Sequence, residues 1–354
     1  YEEYLEYKAA NPIIQNSSSG DELKSYRIAV ACTQQYSNFH GGTTEETLDA
    51  IVTTMNRINQ VYETELAIRL ILVDNNDSLI NLSVSAGMSN NNTNQLINQS
   101  QEVIDDIIGS ENYDIGHTFS TGAGGLASLG VPCNDNEKAR GVTGTNSPVG
   151  DPYDIDYVAH EIGHQFGGNH TFNGTSGSCN GNRNEETAYE PGSGSTIMAY
   201  AGICSSQNLQ SNSDPYFHAA SYDEIQYYIN SAWGQTCATI TETGNSIPEA
   251  SIEKDNYIIP VYTPFELNGV SYDDDQDELS HSWEQMDLGP AGHPNSPSNN
   301  APIFRVFNPT ESTKRTFPRM SYLLNNSQPN YSGGETMPTY ARTLHFRFTA
   351  RDNR

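Results

Sequence analysis

Residues 160–170 of the chain read HEIGHQFGGNH. His160 and His164 are four residues apart, so on a helix both imidazoles lie on one face and can reach a single metal ion. Glu161 flanks that position without being a ligand, which suits a general base that takes a proton from water and returns it to a leaving amine. The spacing therefore predicts a helical zinc site with a catalytic carboxylate beside it.

The motif extends through Gly167 to His170. A glycine at this position lets the helix end and the chain turn back, which brings a third imidazole to the metal. Three protein ligands leave one coordination position for water, and this is the pattern of a catalytic rather than a structural zinc site. The alternative, three unrelated histidines, requires all of these positions to coincide by chance.

Residues 195–200 read STIMAY and lie between the histidine motif and the last predicted helix. A methionine in an apolar stretch usually packs in a core, but this placement favours a Met-turn beneath the metal, with Met198 at its centre. The combined motif, HExxHxxGxxH followed by a Met-turn, resembles that of the metzincin peptidases. Tyr200 matches the position from which some metzincins, the astacins and serralysins, add a tyrosine ligand or steady the tetrahedral intermediate. A packed aromatic ring is the alternative.

Within the metzincins, the segment from Tyr26 to about Thr239 resembles the reprolysin-like, or adamalysin-type, peptidases in their bacterial secreted form. The resemblance is carried by YRIAVACTQQYSNFHGG, DAIVTTMNRINQVYETELAIRLILV, DYVAHEIGHQFGGNHTFNG and PGSGSTIMAYAGIC. One feature departs from it, because adamalysins of the venom type place Asp after the third histidine, whereas Thr171 and Phe172 follow here. His-Thr-Phe also occurs in pappalysin-like metzincins, so that subfamily is an alternative.

The resemblance implies an upper subdomain with a sheet and two long helices, a horizontal cleft, and a lower irregular subdomain that ends in a helix. A peptide would lie extended along the cleft and pair with the edge strand of the sheet, which we place near Gly124 to Leu129. The S1′ pocket would be walled by Ala199 to Ile203, after the Met-turn. The implied substrate-binding residues are Gly125, Leu126, Ala127, Ala199 and Ala201.

The five cysteines contain no CxxC pair, which disfavours a cysteine zinc site or a thioredoxin-like motif and favours disulfides. Cys32 lies in the apolar run IAVAC, which is typical of a buried strand, so we expect it to stay unpaired. In similar enzymes one disulfide joins the region before the active-site helix to the C-terminal helix, and another cross-links the lower subdomain. The resemblance therefore implies the disulfides Cys133–Cys237 and Cys179–Cys204.

Strand-like and helix-like segments alternate from Tyr26 up to the histidine motif. They predict the α/β (α+β) fold of a metzincin catalytic domain, with a mixed, mostly parallel sheet and long helices. Thr43 and Glu46 form a capping box ahead of the first long helix, and Ser221 and Glu224 form another ahead of the last helix. The predicted strands are 27–32, 67–73, 113–119 and 139–145, and the predicted helices cover about 43–62, 93–108 and 221–233.

Changes of composition along the chain predict four regions. They are 1–25, a linker or the remnant of a pro-segment; 26–240, the metzincin catalytic domain; 241–250, a linker; and 251–354. The last region carries short strand-like runs, IIPVYTPFEL, SHSWEQM and TLHFRFTAR, which predict a small all-β sandwich of Ig-like or cadherin-like type with Trp283 in its core. We expect this module to be truncated, since the sequence stops directly after a strand.

Four aspartates cluster in a turn of this module, within SYDDDQDELSHSWEQ. The alternate carboxylates of Asp273, Asp275 and Asp277 are spaced to wrap a calcium ion in an all-oxygen site. The stretch resembles the corresponding part of Ig-like, cadherin-like or PKD-like modules of secreted bacterial enzymes. A solvated acidic turn without a metal is the alternative.

The chain carries a formal net charge of −27, from 44 acidic and 17 basic side chains. Nucleic acid and anionic membrane surfaces are therefore not expected partners, because both would repel it. No run approaches the roughly 18 apolar residues of a membrane span, and the N-terminal YEEYLEYKAA lacks the pattern of a signal peptide, so we expect an export signal to have been removed. The expected molecule is a secreted, extracellular monomer that takes a protein or peptide substrate.

These features predict a zinc-dependent endopeptidase that hydrolyses internal peptide bonds with a zinc-activated water and the assistance of Glu161. One alternative is a non-catalytic adhesion or binding protein, in which a fourth protein ligand would close a structural zinc site. Another is a metal hydrolase that acts on something other than protein. An assay on casein or gelatin with and without a chelator separates the last alternative from the prediction.

Overall fold

The computed structural model describes residues 18–80, 87–122, 124–325 and 333–354, so most of the predicted N-terminal linker lies outside the described residues. The chain divides into two compact units. The first comprises the residues through Gly168 together with Asp223–Gly244, and the second comprises Asn169–Tyr222 together with Asn245–Arg354. The predicted sequence domains, 26–240 and 251–354, stay a prediction, since compactness groups the residues differently.

A six-stranded mixed sheet forms the centre of the first unit. Its strands are β1 (Glu22–Cys32), β2 (Ile68–Leu72), β3 (Ile115–Ser120), β4 (Gly124–Ala127), β5 (Gly141–Gly144) and β6 (Thr239–Glu242). The order is β2-β1-β3-β5-β4, and the β1–β2, β1–β3 and β3–β5 pairs are parallel. β4 is antiparallel to β5 and forms the edge of the sheet. The predicted mixed, mostly parallel sheet is confirmed.

β1 is longer than predicted and begins at Glu22 rather than near Tyr26. The extra residues pair with β6, since Glu22 to Ser25 lie antiparallel to Glu242 to Thr239. Part of the predicted linker is therefore strand, because a distant partner satisfies its backbone groups. Cys32, at the other end of β1, is buried and unpaired as predicted.

Five α-helices of six residues or more accompany these strands within the described ranges. They are α1 (Gln34–Phe39), α2 (Thr44–Leu66), α3 (Thr93–Ile108), α4 (His160–Gln165) and α5 (Ala219–Ser231). Thr43 caps α2 as predicted, since its Oγ1 accepts the backbone N–H of Glu46 at 3.2 Å. None of the helices in the described ranges has the length and apolar composition needed to cross a membrane.

One face of α3 packs against the sheet. Leu96, Ile104 and Ile108 are buried together with Ala29 of β1 and Val142 of β5. Each fully buried aliphatic side chain of this size stabilises the fold by about 1.5–3 kcal/mol. Amphipathic spacing on the helix therefore determines which side of α3 meets the sheet.

The start of α5 differs from the prediction, since the helix begins at Ala219, two residues before the predicted cap at Ser221. The carboxylate of Glu284 accepts the backbone N–H of Ala219 at 2.6 Å. This carboxylate does what an N-cap side chain does, but it comes from a residue 65 positions along the chain. Local spacing could not reveal it.

Within its described residues, the C-terminal part of the second unit contains five short strands and one short helix. They are β7 (Glu249–Ile252), β8 (Phe265–Tyr272), β9 (Ser280–Gln285), β10 (Lys314–Phe317), β11 (Phe346–Arg351) and α6 (Met320–Leu324). They form one sheet in the order β10-β8-β7 and another from β11 and β9. Trp283 is buried with Phe304 and Phe317, as predicted for the core of a β module. The Ig-like or cadherin-like identity of the module stays a prediction.

Segment 169–222 packs with these C-terminal residues inside the second unit. Besides the Ala219–Glu284 bond, the hydrogen bonds that join them include Tyr216 Oη to Phe307 O (3.2 Å), Ser195 Oγ to Val306 O (3.4 Å), Asn173 Nδ2 to Pro290 O (3.0 Å) and Arg183 Nη2 to Gly289 O (2.9 Å). The C-terminal residues are therefore part of what holds segment 169–222 in shape.

Both disulfides implied by the resemblance are present. Cys133–Cys237 lies in the first unit and Cys179–Cys204 in the second, with Cα–Cα distances of 5.5 and 5.2 Å. The first closes a separation of 104 residues, a loop length for which chain-entropy estimates give about 4–5 kcal/mol of stabilisation.

Candidate metal centre

The helical lead-in to the histidine motif contains a π-helical stretch, Asp154–Ala159, directly before α4. Such stretches are rare and frequently occur at functional sites. Two contacts with α2 hold it: Thr54 Oγ1 donates to the buried Asp154 carboxylate at 2.8 Å, and Tyr62 Oη donates to the carbonyl of Ala159 at 2.7 Å. The position of the first turn of α4 is therefore defined by the long helix α2.

The rings of His160 and His164 lie on one face of α4, with centroids 4.7 Å apart and planes perpendicular. His164 Nδ1 is 2.7 Å from the carbonyl of Gly168, so it carries the proton, and the lone pair of the neutral ring is on Nε2. Burial lowers the pKa of His164 to about 4, which keeps this imidazole neutral.

Gly167 ends the helix in the way the motif predicts. Its φ is +95°, a backbone conformation that favours glycine, and the turn brings the Gly168 carbonyl back to the His164 ring. A side chain at position 167 would strain this turn. The glycine of the motif therefore also determines the orientation of the second histidine.

His170 follows this turn, and its Nδ1 donates to the carbonyl of Asn182 at 2.6 Å. Ring nitrogens of His160, His164 and His170 lie within 4.8 Å of one another. Carbonyl acceptors on Nδ1 are the partners that usually orient zinc-binding imidazoles, and three such nitrogens are the ligand set of a catalytic zinc site. The donor set present in this chain therefore fits zinc.

Glu161 is buried, and burial raises its pKa to about 8. A metal dication nearby would act in the opposite direction and favour the carboxylate. The edge strand β4 passes against this side chain, since a Cβ added at Gly125 would overlap the carboxylate of Glu161. Gly125, predicted to contact substrate, is therefore close to the predicted base, whereas its neighbours Leu126 and Ala127 lie half-buried on β4.

Met198 is buried, and its carbonyl accepts the backbone N–H of Thr171 at 3.1 Å. The predicted Met-turn is thereby joined to the residue that follows the third histidine. Tyr200 is half-buried, with its ring centroid 4.6 Å from that of His170 and stacked at 4.6 Å on Phe172. The predicted pocket residues Ala199 and Ala201 are buried beside it.

Glu190, which the sequence analysis did not identify, holds this region together. Its side chain is buried and accepts the Thr171 hydroxyl at 2.6 Å, the Thr196 hydroxyl, and the backbone N–H groups of Ser195 and Thr196 at 2.7 and 3.3 Å. A buried carboxylate without a cation is stable only when several donors surround it, and this one has four within 3.3 Å. Glu190 therefore links the chain after His170 to the start of the Met-turn.

A second hydrogen-bond network, which joins α4 to the sheet, was also not predicted from the sequence. The buried Gln165 donates through Nε2 to the carbonyl of Gly116 at 2.9 Å and accepts from His117 Nδ1 at 2.7 Å. His117 Nε2 then accepts the Thr143 hydroxyl at 2.8 Å. Burial lowers the pKa of His117 to about 4, so the ring is neutral and connects α4 to β3 and β5.

The carboxylates of Asp273, Asp275 and Asp277 lie within 4.8 Å of one another, as the calcium hypothesis requires. Asp273 is buried, and its Oδ2 has no hydrogen-bond partner among the described residues. Asp277 pairs with Arg354, whose Nε is 2.8 Å from its Oδ2.

Comparison with models of protein families gives a match. Residues 23–228, more than half of the 354-residue chain, match the family described as Metallo-peptidase family M12B Reprolysin-like. The matched range includes the histidine motif, the Met-turn and most of α5. No curated protein matches the chain.

Proposed function

The chain belongs to the reprolysin-like M12B metallopeptidase family, and from this membership we propose that it is a zinc-dependent endopeptidase with Glu161 as its general base and acid. The observation that carries the proposal is the set of three imidazole nitrogens within 4.8 Å of one another, on a motif that also contains a buried glutamate. The match also favours a reprolysin-like subfamily over the pappalysin-like alternative.

His160, His164 and His170 would hold the zinc ion. When bound, zinc supplies a Lewis acid that polarises the scissile carbonyl and makes water a stronger nucleophile at neutral pH. The carboxylate of Glu161 takes the proton from the attacking water and delivers it to the leaving amine, so the peptide bond is broken with no net change in the protonation of the enzyme.

A peptide substrate would bind in an extended conformation along the exposed edge of β4, through main-chain hydrogen bonds to Gly125, Leu126 and Ala127. This alignment brings the scissile bond near Glu161, because Gly125 lies against that side chain. Ala199 and Ala201 would wall the S1′ pocket. Tyr200 would steady the developing negative charge on the substrate carbonyl oxygen.

Replacing Glu161 by glutamine tests the proposal, because the side chain keeps its size and loses its basicity. We expect the Glu161→Gln variant to bind one equivalent of zinc and to lose roughly 10²–10⁴-fold or more in kcat on a fluorogenic peptide. The matched control is Glu102→Gln, an exposed glutamate on α3, which should keep full activity. Proteolysis retained by Glu161→Gln would rule out the assigned role.

The rival interpretation, a binding protein with a structural zinc ion, requires a fourth protein ligand. Among the described residues, the histidine group includes no fourth His, Cys, Asp or Glu, which supports an open catalytic position. Casein cleavage that a chelator abolishes and zinc restores would favour the peptidase over both the binding protein and a non-protein hydrolase.

We also propose that the protein is secreted and acts outside the cell as a monomer. Two disulfides support this location, because such bonds persist in oxidising compartments. We further propose calcium at Asp273, Asp275 and Asp277. The buried Oδ2 of Asp273, without a hydrogen-bond donor in the described residues, supports this site, since a cation would compensate it.

A further inference from the structure

A cavity of about 340 Å³ lies in the C-terminal part of the second unit, and none of its lining residues belongs to the histidine motif. Lys314, Arg315 and Arg319 line it together with the aromatic rings of Trp283 and Phe307. Its volume is at the lower end of the range for small-molecule sites, about 300–1,000 Å³. One or two sugar rings would fill it.

The charge of this cavity is opposite to that of the chain. No aspartate or glutamate is among the described residues that line it, although the whole chain carries 44 acidic and 17 basic side chains. A concave surface lined by cations concentrates anions, and it does so most clearly where the surrounding protein repels them. The cavity is therefore the place where this acidic molecule would accept an anion.

The three cations differ in how far carboxylates already neutralise them. Arg315 pairs with the buried Glu335 at 2.8 Å, and the exposed Lys314 lies 3.6 Å from Glu266. The guanidinium of Arg319 has no carboxylate partner among the described residues. It lies instead over the ring of Phe307, 4.3 Å from the centroid. Arg319 is thus the cation whose charge is most available to a ligand.

The floor of the cavity is preorganised. Arg315 donates to the carbonyls of Trp283 and Arg305 at 2.5 Å each, besides its pair with Glu335. These bonds hold its guanidinium over Phe307, at 4.9 Å from the ring centroid. Its Nε–H is buried and has no acceptor among the described residues. A rigid cation beside an aromatic ring loses little entropy when a ligand binds.

Hydroxyl groups supply most of the remaining polar lining, from Ser282, Thr310, Ser312, Thr316 and Ser321. Hydroxyl donors and acceptors together with cations match a ring that bears hydroxyls and one acidic group. A longer acidic peptide would need contacts beyond so small a cavity.

We propose that this cavity binds an acidic sugar, a uronate or a sulfated hexose, with its anionic group paired to Arg319 and Lys314. The site is separate from the proposed peptidase chemistry. A peptidase that binds such sugars would be retained at polysaccharides rich in carboxylate or sulfate groups.

Isothermal titration calorimetry on the full chain tests the proposal with five probes: glucuronate, glucose 6-sulfate, glucose, inorganic sulfate and a tetraglutamate peptide. We expect at least one of the two acidic sugars to bind about 10-fold or more tightly than glucose, since charge-assisted hydrogen bonds account for the difference. The stronger of the two identifies the acidic group. Equal binding of glucose, or inorganic sulfate that binds as tightly as the sugars, would overturn the assignment.

Arg319→Gln should weaken binding of the preferred sugar about 10-fold, and because Arg319 is exposed the variant should fold normally. The matched control is Lys254→Gln. This change removes an exposed positive charge that lies in the second unit but outside the cavity, and it should change the affinity for the sugar less than twofold. Peptidase activity should be unchanged in both variants, so failure here is distinguishable from failure of the proposed function. Unchanged sugar binding in Arg319→Gln, or tighter binding of a tetraglutamate peptide than of either sugar, would contradict the proposal.

Discussion

Substitution of Glu190 by glutamine should loosen the Met-turn without touching the metal ligands. The four donors now share a full negative charge on the carboxylate. Glutamine offers one acceptor oxygen, and its NH₂ group must face either the two backbone N–H groups or the Thr171 and Thr196 hydroxyls. The hydroxyls can rotate to accept, whereas backbone N–H groups cannot. The orientation of lower free energy therefore keeps the glutamine oxygen facing the two backbone N–H groups.

The cost follows from these bonds. Hydrogen bonds to a charged group contribute about 1.5–3 kcal/mol each and neutral ones about 0.5–1.5 kcal/mol, so four bonds that each lose about 1–1.5 kcal/mol of charge assistance destabilise the fold by about 4–6 kcal/mol. Because Glu190 also holds Thr171, next to His170, we expect a loss of about 10–100-fold in zinc affinity or in kcat, as is typical when a supporting residue of a metal site is removed.

The assay compares Glu190→Gln with Glu185→Gln, an exposed glutamate in the same segment. Urea unfolding gives the change in stability, zinc retention against a chelator series gives the affinity, and a fluorogenic peptide gives kcat and KM separately. Thr171→Val should show a smaller loss, about 1–3 kcal/mol, since it removes one of the four bonds. If Glu190→Gln unfolds at the wild-type urea concentration and retains zinc equally well, Glu190 does not organise the Met-turn.

Three further predictions concern other parts of the chain. Gly125→Ala should lower kcat about 10-fold or more with zinc still bound, because the new Cβ must displace the Glu161 carboxylate; an unchanged kcat in a steady-state assay would contradict this. His117 has a pKa of about 4 in the folded chain and of about 6.5 in the unfolded chain. Between these values the unfolded chain binds more protons, so stability decreases as the pH is lowered below about 6.5, by up to roughly 3 kcal/mol near pH 4. Urea unfolding at pH 7 and 4.5 should show a smaller pH dependence for His117→Gln, and an identical one would refute the assignment. Millimolar calcium should raise the melting temperature of the wild type and not of Asp273→Ala, and an equal rise in both would place the effect elsewhere.

Local patterns in the sequence were enough to predict the histidine group and most of the elements of the first sheet, whereas the Met-turn at Met198 stays a prediction. His160 and His164 share a face because helix periodicity requires it, and Gly167 ends the helix because its positive φ favours glycine. The edge position of β4 was expected from the resemblance, which placed the edge strand near Gly124 to Leu129.

The long-range partners were decided only by the tertiary structure. Glu190 reaches Thr171 across 19 residues, Glu284 caps α5 across 65, and β6 extends β1 across more than 200. A carboxylate in a turn and a carboxylate that caps a distant helix can have the same neighbours in the sequence. They differ only in the donors that the path of the chain brings to them. The sequence by itself therefore determined the metal-binding chemistry, whereas the fold determined which residues hold that chemistry in place.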